Sequence, residues 1–178
     1  MDEGSRDERR GRRIVVGVSG SLGSLAALHR AAAEARRTDA GVLAVLAWTP
    51  PGGEIGYLRS PCPPLPALWW ERAEARLGEA LDEAFGGAPL GVRLSSQVIR
   101  GDSGHALVHT ADRPDDLLVV GAGSGWLRRG LRPSVSAYCV KHAACPVLAV
   151  PRPTLQRELE TFRRRNAWHL PTEPAPSR

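Results

Sequence analysis

Two short stretches of small residues carry most of the chemistry this 178-residue sequence offers. Val18-Ser19-Gly20-Ser21 and Gly121-Ala122-Gly123-Ser124-Gly125 each close an apolar run. Glycine lets backbone N–H groups come close to an anion, and serine adds a hydroxyl that donates or accepts. Arg128, Arg129 and Arg132 follow the second stretch. Guanidinium groups bind phosphate bidentately; on a solvated loop tip the same arginines would only face water. The remaining constellations are weaker. His105 and His109 share a face of a short helix at a spacing that can hold zinc, but no glutamate follows His105 and a third ligand is missing, so they read as surface histidines. Asp102, Asp112, Asp115 and Asp116 fit helix capping and loop solvation. No G-x-S-x-G elbow surrounds Ser21 or Ser24.

The elements that must position these stretches alternate along the chain. Arg13 to Val18 (RIVVGV) is a short β-branched run, a buried strand. Leu22 to Arg37 has helical spacing at Leu25, Leu28, Ala32 and Ala35. Gly41 to Trp48 is the second strand, and Val92 to Arg100 a third with one partly exposed face. Asp116 to Gly121 and Pro146 to Val150 are the fourth and fifth. Between strands two and three, Thr49 to Pro66 is dense in proline and glycine and is expected to be irregular, a lid or interaction segment. Leu68 to Phe85 follows as a helix, with Trp70, Ala73, Leu77, Leu81 and Ala84 on its apolar stripe. Ala106 to Ala111 belongs to a short helix and Ser134 to His142 forms another.

Nearly wholly apolar strands separated by helices predict an α/β fold: a doubly wound five-stranded parallel sheet with helices on both faces. Ligands of such sheets sit at the carboxyl ends of the strands where the winding reverses. In the order 3-2-1-4-5 that point lies between strands one and four, and these are the strands that end in the small-residue loops. Residues 1–12 read as a disordered charged tail, 13–151 as one domain, 152–170 as a C-terminal amphipathic helix with its stripe between Leu155 and Trp168, and 171–178 as a disordered tail.

Composition narrows the function classes. Lys and Arg number 24 against 19 Asp and Glu, a formal charge of +5. The arginines are scattered among acids, so nucleic acid is not an expected partner. No apolar run is long enough to span a bilayer, and the charged N-terminus has no hydrophobic region of a secretory signal, so the expected location is cytoplasmic and no membrane partner is expected. Cys62, Cys139 and Cys145 contain no C-x-x-C pair and fit free thiols, with no metal site.

Three stretches resemble the universal stress protein family: RIVVGVSGSLGSLAAL (13–28), VIRGDSGHALV (98–108) and DDLLVVGAGSGWLRRGLRPSVSAYCVKHAACPVLAVP (115–151). The resemblance implies a sheet in the order 3-2-1-4-5 and a homodimer through the fifth strand. It also implies, for some members, ATP with Mg2+ bound through a G-x-x-G-x(9)-G-[S/T] pattern. Carried over residue by residue, the implied ligand contacts are Val18, Ser19, Ala47, Gly121, Gly123, Arg128, Arg129, Ser134, Val135 and Ser136. Ala47 matches the position whose backbone meets adenine. Ser134 lies at a helix start, where free N–H groups favour an anion.

The match is incomplete. Ser19 stands where ATP binders usually carry aspartate. Gly121 matches the first glycine; Gly123 keeps the nine-residue spacer, whereas Ser124 keeps the first gap without being glycine. Pro133 replaces the last glycine and has no N–H to donate. Two readings follow: a stress-response module binding ATP or a related nucleotide, or a homodimeric interaction scaffold with a degenerate pocket. Neither is an enzyme of ordinary turnover, because the sequence offers no catalytic base and no Walker lysine; slow ATP hydrolysis is the upper limit.

Overall fold

The computed structural model describes residues 11–59, 61–86, 90–122 and 134–151. Strands β1 (Arg13–Gly17), β2 (Gly41–Trp48), β3 (Leu94–Arg100), β4 (Leu117–Gly121) and β5 (Val147–Val150) form one sheet in the order β3-β2-β1-β4-β5. Every pair in it is parallel. The described helices are α1 (Leu22–Thr38), α2 (Gly53–Arg59), α3 (Pro64–Phe85), α4 (Ser103–Thr110) and α5 (Val135–His142). The doubly wound architecture expected from the sequence is present. The helix expected between Leu155 and Trp168 lies outside the described residues.

Period-two alternation along the strands builds two apolar layers. Ile14 and Val16 of β1 join Leu28, Ala31 and Ala35 of α1 and Leu77 and Ala80 of α3 on one face. Val15 turns to the other, with Leu107 of α4, Leu118 of β4 and Cys139 of α5. Each fully buried leucine, such as Leu28 and Leu118 at 0% exposure, contributes about 1.5–3 kcal/mol by leaving water. Ser95, Ser96 and Gln97 on the outer strand β3 are exposed, which matches the partly open face expected there. Cys62 is exposed while Cys139 and Cys145 are buried, all as free thiols. Burial pushes the Cys139 thiol up to about 11.

Three sequence expectations are corrected. The proline-rich segment is not irregular throughout: α2 forms over Gly53–Arg59, and α3 begins at Pro64 rather than Leu68. Prolines in a first helical turn lose nothing, because those N–H groups have no partner within the helix. Trp70 leaves the apolar stripe and is 40% exposed. Trp69, four residues before buried Ala73, turns instead toward Trp48 and Tyr57. Asp116 is not solvated: its side chain is 1% exposed and grips Arg13. Arg13 donates from Nε to Asp116 Oδ1 at 3.1 Å and from Nη2 to Oδ2 at 2.6 Å. The same Nη2 reaches Asp112 at 2.7 Å and the Thr110 carbonyl at 2.8 Å. This cluster ties the amino ends of β1 and β4, at the far end of the sheet from the small-residue loops.

Candidate functional site

Strand β1 hands over to α1 through a turn made by its small residues. Val18 is buried, and its N–H donates to the Val45 carbonyl at 2.8 Å, extending the β1–β2 pairing past Gly17. The chain then reverses at Gly20, whose φ of 67° is a left-handed value that suits glycine. Ser21 caps α1 in a reciprocal box: the Ser24 N–H donates to Ser21 Oγ at 3.3 Å and the Ser21 N–H to Ser24 Oγ at 3.1 Å. Ser19 Oγ and Ser21 Oγ lie 3.0 Å apart, so the two hydroxyls share a hydrogen bond on an exposed rim.

Strand β4 ends against this turn. A Cβ added at Gly121 would lie 2.7 Å from the Gly23 carbonyl oxygen and 2.9 Å from its carbon. Only glycine lets β4 and the first turn of α1 approach so closely. Past Gly121, the Ala122 N–H donates to the Val150 carbonyl at 2.7 Å, so β4–β5 pairing continues into the loop. Ser134 caps α5: its Oγ accepts from the Ala137 N–H at 3.2 Å and lies 3.1 Å from Ser136 Oγ. Val135 is 40% exposed, and Ser136 is half-buried. Because α1 and α5 run antiparallel to the strands they connect, their amino ends both stand at the carboxyl edge of the sheet. Ala47 is half-buried near the end of β2, in register with Ile99. The structure thus brings Val18, Ser19 and Gly121 to one crevice edge and places Ser134, Val135 and Ser136 at the start of the helix after β4. Gly123, Arg128, Arg129, Arg132 and Pro133 lie outside the described residues.

Two features of this edge escape sequence reasoning. The first is Arg76 of α3, whose Nη2 donates to the Ser19 carbonyl. The second is a latch that holds α2 over the ends of β2 and β3. Arg100 donates from Nε and Nη2 to the two Glu54 carboxylate oxygens at 3.0 and 2.8 Å. Its guanidinium lies over the rings of Trp48 at 5.6 Å and Tyr57 at 5.2 Å. Tyr57 meets Trp69 edge to face at 5.8 Å, and Trp48 Nε1 is buried without a hydrogen-bond partner among the described residues. The Arg100 hydrogen bonds hold the Glu54 carboxyl below the usual carboxylate range, and Glu54 in turn raises Arg100. No sequence signal announces either pairing, because the partners stand 57 and 46 residues apart.

Around His105 the surface reading holds: the ring is exposed and packs on Tyr138 at 5.1 Å. Among the described residues no group of three or more His, Cys, Asp or Glu could hold a metal ion. Nor, among them, is any helix long and apolar enough to cross a membrane. A depression of about 470 Å3 between Arg36, Asp39 and Arg93 lies at the amino ends of β2 and β3, away from the crevice.

The fold and these turns define a doubly wound α/β domain whose topological switch point, between β1 and β4, is flanked by small-residue turns. A family model, that of the universal stress protein family, matches residues 11–151, and the chain belongs to that family. A solved universal stress protein in complex with cAMP is 27% identical, with a TM-score of 0.52, the match covering 80% of this chain and 98% of that one. UspA from Lactobacillus plantarum is 26% identical, with a TM-score of 0.58 over 79% of this chain and 98% of that one. The universal stress protein A-like protein of Arabidopsis thaliana is 38% identical over 63 residues, 35% of this chain and 29% of that protein, so the aligned part spans less than a third of that relative.

Proposed function

We propose that this chain is a cytoplasmic stress-response module that binds an adenine nucleotide in the crevice between β1 and β4. It acts by binding, with ATP hydrolysis slow at most. The observation that carries this reading is the approach of Gly121 to the Gly23 carbonyl. It sets a side-chain-free strand end against the capped amino end of α1, the kind of surface on which backbone donors reach a phosphate. The relative that is 27% identical and solved in complex with cAMP supports the same ligand class. The segments 18–24 and 121–136 contain no Asp, Glu or Lys, so they offer no strong base to activate water. Three free thiols are consistent with a reducing compartment.

Calorimetric titration with ATP, AMP and cAMP tests the reading. Micromolar binding of at least one is expected. Ser134→Ala should weaken it about tenfold or more through loss of one hydrogen bond to the charged phosphate, measured well below the unfolding temperature because the α5 cap is lost as well. Absence of binding at millimolar concentrations of all three would overturn the proposal.

A homodimer through the fifth strand belongs to the same proposal. Among the described residues β5 is an edge of the sheet, with one neighbour, β4, and its outer backbone groups are free to pair with a second copy. Light scattering at tens of micromolar should give twice the 19.1 kDa chain mass. A monomer mass there would reject the dimer.

A further inference from the structure

The turn after β1 is met by a cation and holds no carboxylate of its own. Ser19 offers a hydroxyl where ATP binders of the family usually carry an acid, and the described residues of the two turns, 18–24, 121–122 and 134–136, are free of carboxylates. Mg2+ takes oxygen ligands and usually rests on one or two carboxylates beside the phosphates. The charged group shown in contact with this turn is instead Arg76. Its guanidinium bonds the Ser19 carbonyl, and its Nε lies 3.3 Å from where a Cβ of Gly20 would stand. Among the described residues no carboxylate pairs with Arg76. One bond to Ser19 leaves most of the five guanidinium donors for another acceptor. Arg72, one turn earlier on the same helical face, adds a second exposed cation. Beside Arg76 stand the paired hydroxyls of Ser19 and Ser21, 3.0 Å apart, each able to donate to an anion.

We infer that Arg76 is the phosphate-recognising residue on the β1 side of the crevice, and that the nucleotide binds as its free phosphate anion rather than as a magnesium complex. This rests on the nucleotide-binding reading above. Magnesium, which the family resemblance implies alongside ATP, does not fit the donors present at this turn. Arginine does, because it supplies the positive charge in fixed form and donates in a planar fork.

The test is calorimetry of AMP and adenosine, each in EDTA and in Mg2+, on the wild type, Arg76→Gln and Arg76→Lys, with thermal unfolding run on each. Arg76→Gln should weaken AMP about tenfold or more, the usual consequence of losing a charge-assisted hydrogen bond. Adenosine affinity should stay the same, Arg76→Lys should fall between, and Mg2+ should not improve wild-type AMP binding. Equal losses for AMP and adenosine would make Arg76 a support of the turn and overturn the inference. So would an unchanged AMP affinity in Arg76→Gln, or wild-type AMP binding that requires Mg2+. If the wild type binds adenosine but AMP no more tightly, this inference fails while a nucleoside-type site stands. If it binds neither, and ATP and cAMP also fail, the proposed function falls too.

Discussion

Gly121→Val should cost about 1–3 kcal/mol of stability, the usual range for overpacking a close contact, and weaken nucleotide binding at least about tenfold. The cause is geometric. A Cβ at position 121 would sit 2.7 Å from the Gly23 oxygen, so the first turn of α1 or the end of β4 must move by about 0.7 Å to reach the 3.4 Å of an ordinary contact. The obstacle is backbone, not a flexible side-chain tip, and it belongs to a helix pinned by the Ser21–Ser24 box. Any shift therefore moves the capped amino end of α1 that faces the crevice. Misplacement on the scale of an ångström is enough to cost a bound ligand its aligned donors. Gly78 supplies the control. It lies within α3 with nothing within 4 Å of an added Cβ, so Gly78→Ala should leave affinity unchanged and raise stability by about 0.5–1 kcal/mol. Urea unfolding and calorimetry on both variants check the pair. A Gly121→Val protein with wild-type stability and affinity would show that the β4–α1 approach has no such role.

The largest expected effect on stability lies at the other end of the sheet. Asp116→Ala should destabilise the fold by about 3–5 kcal/mol, because removing one partner of a buried ion pair strands the other. Asp116 is 1% exposed at its side chain, and Arg13 is 22% exposed, with its guanidinium forked onto that carboxylate. Asp112 remains nearby but is 67% exposed, so it compensates only weakly. Asp116 also accepts from the Arg113 N–H at 3.2 Å, a bond that shapes the entry to β4. The double variant Arg13→Met/Asp116→Leu should recover much of the loss, since apolar replacements of similar volume carry no stranded charge. Urea denaturation of Arg13→Met, Asp116→Leu and the double variant completes the cycle. Additive losses in the double variant would mean that the pair is not coupled.

Much of the fold is legible in the residues themselves. RIVVGV, GVLAVLAW and DLLVVG are too apolar and β-branched for anything but buried strands, and Leu25, Leu28, Ala32 and Ala35 repeat at the helical period. Parallel strands with helical crossovers leave few topologies, and the small-residue turns after strands one and four mark the switch point. Glycine and proline were less dependable. Their density between Thr49 and Pro66 argued against regular structure, yet Gly53–Arg59 is a proline-free helix held by Tyr57 and Glu54. Local composition does not record that a distant Arg100 will supply the partner.

The same distinction separates the two halves of the site. Which strands end at the switch point is legible locally, because apolar periodicity is a property that each strand and helix carries independently. So is the chemistry of the turns that follow them: glycines, hydroxyls and no carboxylates. That Gly121 meets Gly23, that Arg76 reaches Ser19 and that Asp116 clasps Arg13 across 103 residues emerges in the folded domain alone. Those contacts follow from strand order, register and the direction in which each helix returns across the sheet. Such pairings are fixed by the packing of the whole domain, and no single stretch of the chain encodes them.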